Sequence, residues 1–335
     1  MNYSFFDGKR VTVTGGLGFI GSCVVRKLLA ETDCTLRIID KMGVGSNKDF
    51  IPESFGDRYT ITPIDLAHTQ KVFKDFEYFQ PDIVIHLAAE SHVDRSITEP
   101  ATFVESNVTG TFSILEASRR LYESLPPGKK AQFRLHHVST DEVFGSLSDE
   151  GVFTERSSYS PNSPYSATKA ASDHLVRAWH HTYGLPVTIS NCSNNFGPWQ
   201  ADEKLIPTVI RSIVQGKPVR LYGDGQNVRD WLYVDDHVDA IFSCIERGVI
   251  GETYCVGARN EVSNVDLVYK ICQHLLTTHL SSVRIIFGED RPGHDFRYAI
   301  DPSKIESKLG WKPKHSFDEA LKETVQWYVK WYAQN

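Results

Sequence analysis

The sequence predicts an α/β protein: a doubly wound parallel sheet with a smaller mixed α/β lobe towards the C-terminus. Three observations carry this. A β-rich run, Arg10 to Thr14, leads into a glycine turn, Gly15 to Gly21, then an apolar-periodic segment and a second β-rich run, Leu36 to Asp40. Such strand and helix signals go on alternating to about residue 190, which calls for parallel strands joined by right-handed crossovers. Beyond Asn191 the periodicity loosens into turns and short elements. A chain of 335 residues also exceeds what one small core usually holds. We therefore expect a dinucleotide-binding Rossmann unit over residues 1–190, with a returning segment near 230–247, and a ligand-gripping lobe over 191–335.

In the glycine turn each piece has a mechanical role. Gly15, Gly18 and Gly21 let backbone N–H groups approach a pyrophosphate, and the helix that follows offers its N-terminus to that charge. Asp40, an acid 19 residues after Gly21, suits ribose hydroxyls and repels a 2′-phosphate, so NAD is expected over NADP. Lys41 beside it offsets part of that repulsion. Tyr59 to Asp65 reads as a third strand whose terminal acid could meet the adenine edge. Asp82 to Ala89 reads as a fourth, and the small Ala88 and Ala89 suit a backbone lying against a flat cofactor. Glu90 to Ser96 then opens a polar loop at the same edge, and Asn107 to Tyr122 is helical by period.

A fifth strand, Phe133 to Val138, runs into Ser139-Thr140-Asp141-Glu142-Val143-Phe144-Gly145. In an open parallel sheet the strand end is where ligands bind. Alone, the Asp141-Glu142 pair reads more often as a solvated turn than as an acid and a base. Next, Pro164 can start a helix in which Tyr165 and Lys169 lie one turn apart on one face. There an ammonium could stabilise a phenolate, and a phenol that works as a base near neutral pH needs such help. Past Asn191, Lys204, Arg220, Tyr222, Arg229, Arg291 and His294 suit a charged, partly aromatic ligand such as a nucleotide diphosphate. Phe317 to Tyr332 is amphipathic and reads as a closing helix.

The bulk numbers narrow the classes. Net charge is −6 without a basic block, which argues against nucleic acid as the main partner. No apolar run is long enough to span a bilayer, and Met1 to Gly8 lacks a secretory signal pattern. The six cysteines are scattered without metal-ligand spacing, so no metal and a reducing cytoplasm are expected. The pairs His136-His137 and His180-His181 read as structural.

The glycine turn, Tyr165-xxx-Lys169 and Asn194-Asn195-Phe196-Gly197-Pro198 resemble the extended short-chain dehydrogenase/reductases that act on nucleotide sugars. Within them, Ser139 to Gly145, His86 to Ser96, Glu203 to Pro207, Arg229 to Tyr233 and Arg291 to Asp295 resemble the nucleotide-diphosphoglucose 4,6-dehydratases. Related 4-epimerases share the glycine turn and the Tyr/Lys pair, but not usually the Asp-Glu doublet. The resemblance implies a redox-neutral dehydration of dTDP-glucose, with UDP-glucose dehydration or 4-epimerisation as the enzymatic alternatives. A non-catalytic NAD-binding protein is a further alternative, though it would be expected to have lost Tyr165, Lys169 or a carboxylate. The implied roles are Tyr165 as base at C4, Lys169 holding its phenolate, Thr140 orienting the C4 oxygen, Glu142 as base at C5 and Asp141 as acid at C6. Implied NAD contacts are Phe19, Ile20, Asp40, Lys41, Asp65, Leu66, Leu87, Ala88, Ala89, Ser106 and Asn195, with the glycines, Tyr165 and Lys169. Implied sugar-nucleotide contacts are Ser91, Thr140, Asn194, Lys204, Leu205, Tyr222, Arg229, Asn264, Arg291 and His294. The resemblance also implies a homodimer through the Tyr165 helix and its neighbour. The chain departs from the family at Met42 to Asn47, at Ser106 (usually Thr), at Asp202 (usually Pro) and at Ala258 (commonly Gly).

Overall fold

The computed structural model describes residues 3–275 and 283–334. Its main sheet has seven parallel strands. Six come in order from the first part of the chain: β1 (Arg10–Thr14), β2 (Thr35–Asp40), β3 (Tyr59–Pro63), β4 (Ile83–His86), β5 (Arg134–Thr140) and β6 (Val187–Cys192). Later come β7 (Asn194–Phe196), β8 (Val219–Tyr222), β9 (Val228–Tyr233), β10 (Thr253–Val256), β11 (Glu261–Ser263) and β12 (Ile285–Gly288). The sheet order is β10-β6-β5-β4-β1-β2-β3, so the winding reverses between β1 and β4. A crevice opens outside the carboxyl ends of strands at such a reversal. The glycine turn, the Leu87–Glu90 segment and Thr140 all lie at that edge, because each follows one of these strands.

Both faces of the sheet are covered. One apolar core joins β1, β2 and β4 to the Phe19–Glu31 and Val234–Arg247 helices. The other lies under the Thr69–Phe79, Gly110–Ser124 and Pro164–Tyr183 helices. Strands buried on both faces need continuous apolar runs, as in Ile83-Val84-Ile85. A third core lies among β8, β9 and the Leu205–Val214, Asn264–His274 and Phe317–Gln334 helices. The chain returns from there through Val234–Arg247 and adds β10 beside β6.

Two glycines set the turn after β1. Gly15 has φ +68°, and a Cβ there would meet the Ala88 Cα at 2.8 Å. A Cβ on Gly21 would lie 2.1 Å from the Gly15 carbonyl oxygen, so helix and strand could not approach this closely. Element ends differ from the sequence reading for local reasons. Strand β4 stops at His86 because the N–H groups of Leu87 and Ala88 turn to the Thr14 hydroxyl, each at 3.2 Å. Strand β3 stops at Pro63, and Asp65 folds back to accept from Ala67 N at 2.9 Å. The helix expected from Asn107 begins as a π-helical turn, Val104–Thr109, before Gly110–Ser124. That wider turn lets Asn107 reach both the Glu90 backbone and the Thr168 hydroxyl. The Pro164 helix starts where expected, secured by reciprocal hydrogen bonds between Ser163 and Ser166.

An aromatic cluster joins distant parts of the chain at the rim of the crevice. Trp199, at φ +70°, packs on Phe50 at 4.8 Å and on Trp327 at 4.7 Å between centroids. Trp327 stacks on Trp331. The Arg26 guanidinium lies over Trp199 and donates to the Phe50 carbonyl.

Candidate active site

One cleft at the winding reversal brings most of the expected residues together. On its dinucleotide side lie Gly15, Gly18, Phe19, Ile20, Gly21, Asp40, Lys41, Asp65, Leu66, Leu87, Ala88, Ala89, Ser106 and Asn195. On its chemical side lie Thr140, Asp141, Glu142, Tyr165 and Lys169, with Ser91, Asn194 and Lys204 beside them. The glycine turn, whose close backbone approach a Cβ at Gly15 or Gly21 would not permit, and the start of the Phe19 helix, which no side chain caps, fit a pyrophosphate. Asp40 is buried and already accepts from Leu17 N, Met42 N and the Ser46 hydroxyl. Its carboxylate is thus fixed in place facing the cleft. Lys41 turns away from it to pair with Glu90 at 2.5 Å.

Asp141 and Glu142 are not a solvated turn. Asp141 is buried, and the Thr140 hydroxyl accepts from Glu142 N at 3.2 Å, which fixes the turn. Burial, then the charges of Glu142 and Asp230, push the Asp141 carboxyl well above the usual carboxylate range. Burial also raises Glu142, but Arg229, Lys204 and Arg291 oppose it. Burial thus raises both carboxyls, with the neighbouring charge of Glu142 adding to it at Asp141 and three cations opposing it at Glu142. Tyr165 is pushed up by burial and by Glu142, with Thr140 acting the other way. Lys169 is lowered by burial and donates from Nζ to the Val138 carbonyl at 2.8 Å.

The remaining expected contacts sit around this centre rather than lining it. Arg229 is buried and donates to the Asp295 and Phe296 carbonyls. Tyr222 donates to Asp94, which also faces Arg291 at 3.5 Å. His294 pairs with Asp290, and its ring lies 6.2 Å from that of Tyr222. Leu205 opens its helix, and the Asn264 Oδ1 is buried without a hydrogen bond. Sequence reasoning missed Val44, Gly45, Ser46, Gln200 and Glu203, which also line the cleft. They lie in loops, where no periodicity marks an inward side chain. His136 and His137 are buried in β5, as expected of structural histidines. The described residues hold no group of three metal-ligating side chains, and all six cysteines are buried and free.

The state of Asp141 has a measurable consequence. An acid whose folded pKa is raised contributes its full stability below the unfolded pKa and loses it as pH rises through the folded one. Asp141→Asn removes that loss. It should raise the melting temperature by about 2 °C or more at pH 8, with a smaller gain at pH 5. Thermal melts showing no gain at either pH would contradict the upward shift of the Asp141 carboxyl.

The chain matches the family model described as GDP-mannose 4,6 dehydratase over residues 12–324. It is 48% identical over 334 residues to the dTDP-glucose 4,6-dehydratase of Salmonella typhimurium, covering 96% of this chain and 92% of that protein. It is 50% identical to the probable dTDP-glucose 4,6-dehydratase of Sinorhizobium fredii, covering 97% and 95%. Among solved structures it resembles DesIV, the dTDP-glucose 4,6-dehydratase of Streptomyces venezuelae with NAD and TYD bound. The TM-score there is 0.89, with 40% identity and coverage of 97% of this chain and 98% of that one. It also resembles the UDP-glucose 4-epimerase of Thermotoga maritima, with a TM-score of 0.87, 25% identity and coverage of 96% and 99%.

Proposed function

The chain belongs to the GDP-mannose 4,6 dehydratase family, and from that premise we propose that it converts dTDP-glucose to dTDP-4-keto-6-deoxyglucose and water, with NAD as resident cofactor. The observation that carries this is the buried Asp141-Glu142 pair at the end of β5, in one cleft with Tyr165 and Lys169. An oxidation at C4 alone needs only the Tyr/Lys pair; the doublet supplies the acid and base that an elimination requires. We assign the cofactor to residues 1–190 with the returning segment near 230–247, and the sugar nucleotide to 191–335.

When bound, NAD accepts the C4 hydride and returns it to C6. Tyr165 takes the C4 hydroxyl proton, with Thr140 orienting the oxygen and Lys169 favouring the phenolate. The C4 ketone acidifies the C5 hydrogen. Glu142, the carboxylate facing three cations, removes that proton, and Asp141, the one pushed well above the usual carboxylate range, gives its proton to the departing C6 oxygen, so water leaves. Glu142 then returns a proton to C5. Tyr165 ends with one proton more and Asp141 with one fewer, so exchange between them restores the starting state.

The test is product analysis with dTDP-glucose and UDP-glucose side by side. A 4-keto-6-deoxy product from dTDP-glucose, recognised by its alkaline absorbance, is expected. A 4-epimer, or turnover of UDP-glucose alone, would refute the assignment.

The same reading includes a homodimer. Phe112 and Tyr183 are 38% and 46% exposed, on the neighbouring Gly110–Ser124 and Pro164–Tyr183 helices. Trp179 packs edge-on against both. An apolar strip of this kind across two helices suits a twofold contact. Sedimentation should give a dimer for the native chain and a monomer for Phe112→Arg; a native monomer would exclude the assembly.

A further inference from the structure

The proposed chemistry divides between two elements. Thr140, Asp141 and Glu142 sit at the end of β5, whereas Tyr165 and Lys169 sit in the first two turns of the Pro164–Tyr183 helix. A site of this kind works only if such elements are held within about 0.5 Å of the productive geometry. One buried side chain gathers the bonds between them. Asp173 lies on the helix, one turn beyond Lys169, and is fully buried. Its Oδ2 accepts from the Ser139 hydroxyl at 2.9 Å, the Tyr159 hydroxyl at 2.7 Å and Asn191 Nδ2 at 3.1 Å. The same Asn191 Nδ2 donates to the Thr140 carbonyl at 3.0 Å. His137 Nε2 lies 3.1 Å from Asp173 Oδ1. Three residues of β5, His137, Ser139 and Thr140, thus meet Asp173 directly or through Asn191.

Three donors on one oxygen suit a carboxylate, whose charge-assisted bonds are the strong ones. Burial pushes Asp173 upward, yet His137, Lys169 and Tyr159 together hold it below the usual range. Burial and the Lys169 charge lower His137 to about 4, so it is neutral near pH 7. The buried cation that the carboxylate answers is therefore Lys169, whose charged form it favours.

We propose that Asp173 is a positioning residue for this reaction: it locks the end of β5 to the Tyr165 helix and sets its carboxylate one helical turn from Lys169. It touches neither sugar nor cofactor in this role and acts through Ser139, Asn191 and Lys169. The proposal rests on the dehydratase reading given above.

The test is Asp173→Asn in the full chain, assayed with dTDP-glucose. The kcat should fall at least tenfold while KM stays within about threefold. In a Lys169→Met background the same change should cost less than half as much on a logarithmic scale, because part of its effect is already gone. A kcat within twofold of the native value, a loss residing in KM, or full additivity with Lys169→Met would overturn the proposal. Ser139→Ala with Asn191→Ser removes the strand-side bonds and leaves the carboxylate. That pair should lower kcat at least threefold at unchanged KM, and it decides the matter if Asp173→Asn does not fold: unchanged kcat then rejects the clamp. A native chain that makes no 4-keto product would instead sink the dehydratase reading, which separates the two failures.

Discussion

Glu142→Gln is expected to lower formation of the 4-keto-6-deoxy product by about a thousandfold, within the usual range for a lost general base. The amide keeps the size and hydrogen-bonding shape of the side chain but cannot take the C5 proton. The cations Arg229, Lys204 and Arg291, which oppose the effect of burial on Glu142, would remain without the charge they face. The diagnostic is isotopic. With substrate deuterated at C5, the native enzyme should wash the label out, whereas Glu142→Gln should retain it even though Tyr165 and Lys169 are intact. Washout at the native rate would remove Glu142 from the role of base and leave Asp141 as the alternative.

Tyr165→Phe is expected to lower kcat by about a hundredfold or more, equivalent to about 2.7 kcal/mol of transition-state stabilisation. The ring packs edge-on near Phe103, 6.4 Å between centroids, so phenylalanine should preserve the fold while removing the oxygen. Burial and Glu142 hold the free phenol well above its ordinary pKa. Its ionisation therefore needs positive charge in the cleft, the part that the proposed mechanism gives to Lys169. Lys169→Met should accordingly reproduce most of the loss. Near-native turnover of Tyr165→Phe would exclude it as the C4 base.

What could be read from the sequence follows from how local each signal is. Strand β1 and the start of the Pro164 helix have the expected bounds, because β-branched alternation and a Ser-Pro helix start act within a few residues. The glycine turn and the strand-end placement of Thr140-Asp141-Glu142 were legible for the same reason. The different surroundings of Asp141 and Glu142 were not, because the charges that act on one and not the other, Asp230 on Asp141 and Lys204 and Arg291 on Glu142, come from remote segments. Asn107 escaped notice because its contacts depend on a π-helical turn that no apolar period reveals. Asp173 looked like any polar residue on an amphipathic helix; only the fold brings Ser139, Tyr159 and Asn191 to it. The small sheets β11-β9-β7 and β12-β8 come from runs of three to six residues among turns, too short to show alternation.

The Phe50–Trp199–Trp327 cluster bears on how the cleft is held rather than on its chemistry. It ties together the loop after β2 and the segment around Gln200 and Ala201, both of which line the cleft; a side chain added at Gly45 would touch Ala201 at 3.8 Å. A hydride borrowed from C4 and returned to C6 has to stay in one molecule's keeping throughout a cycle. An exchange of cofactor part-way would strand an oxidised sugar and draw on the surrounding pool. The rim beside that crevice is held by aromatic rings packed from three separate parts of the chain.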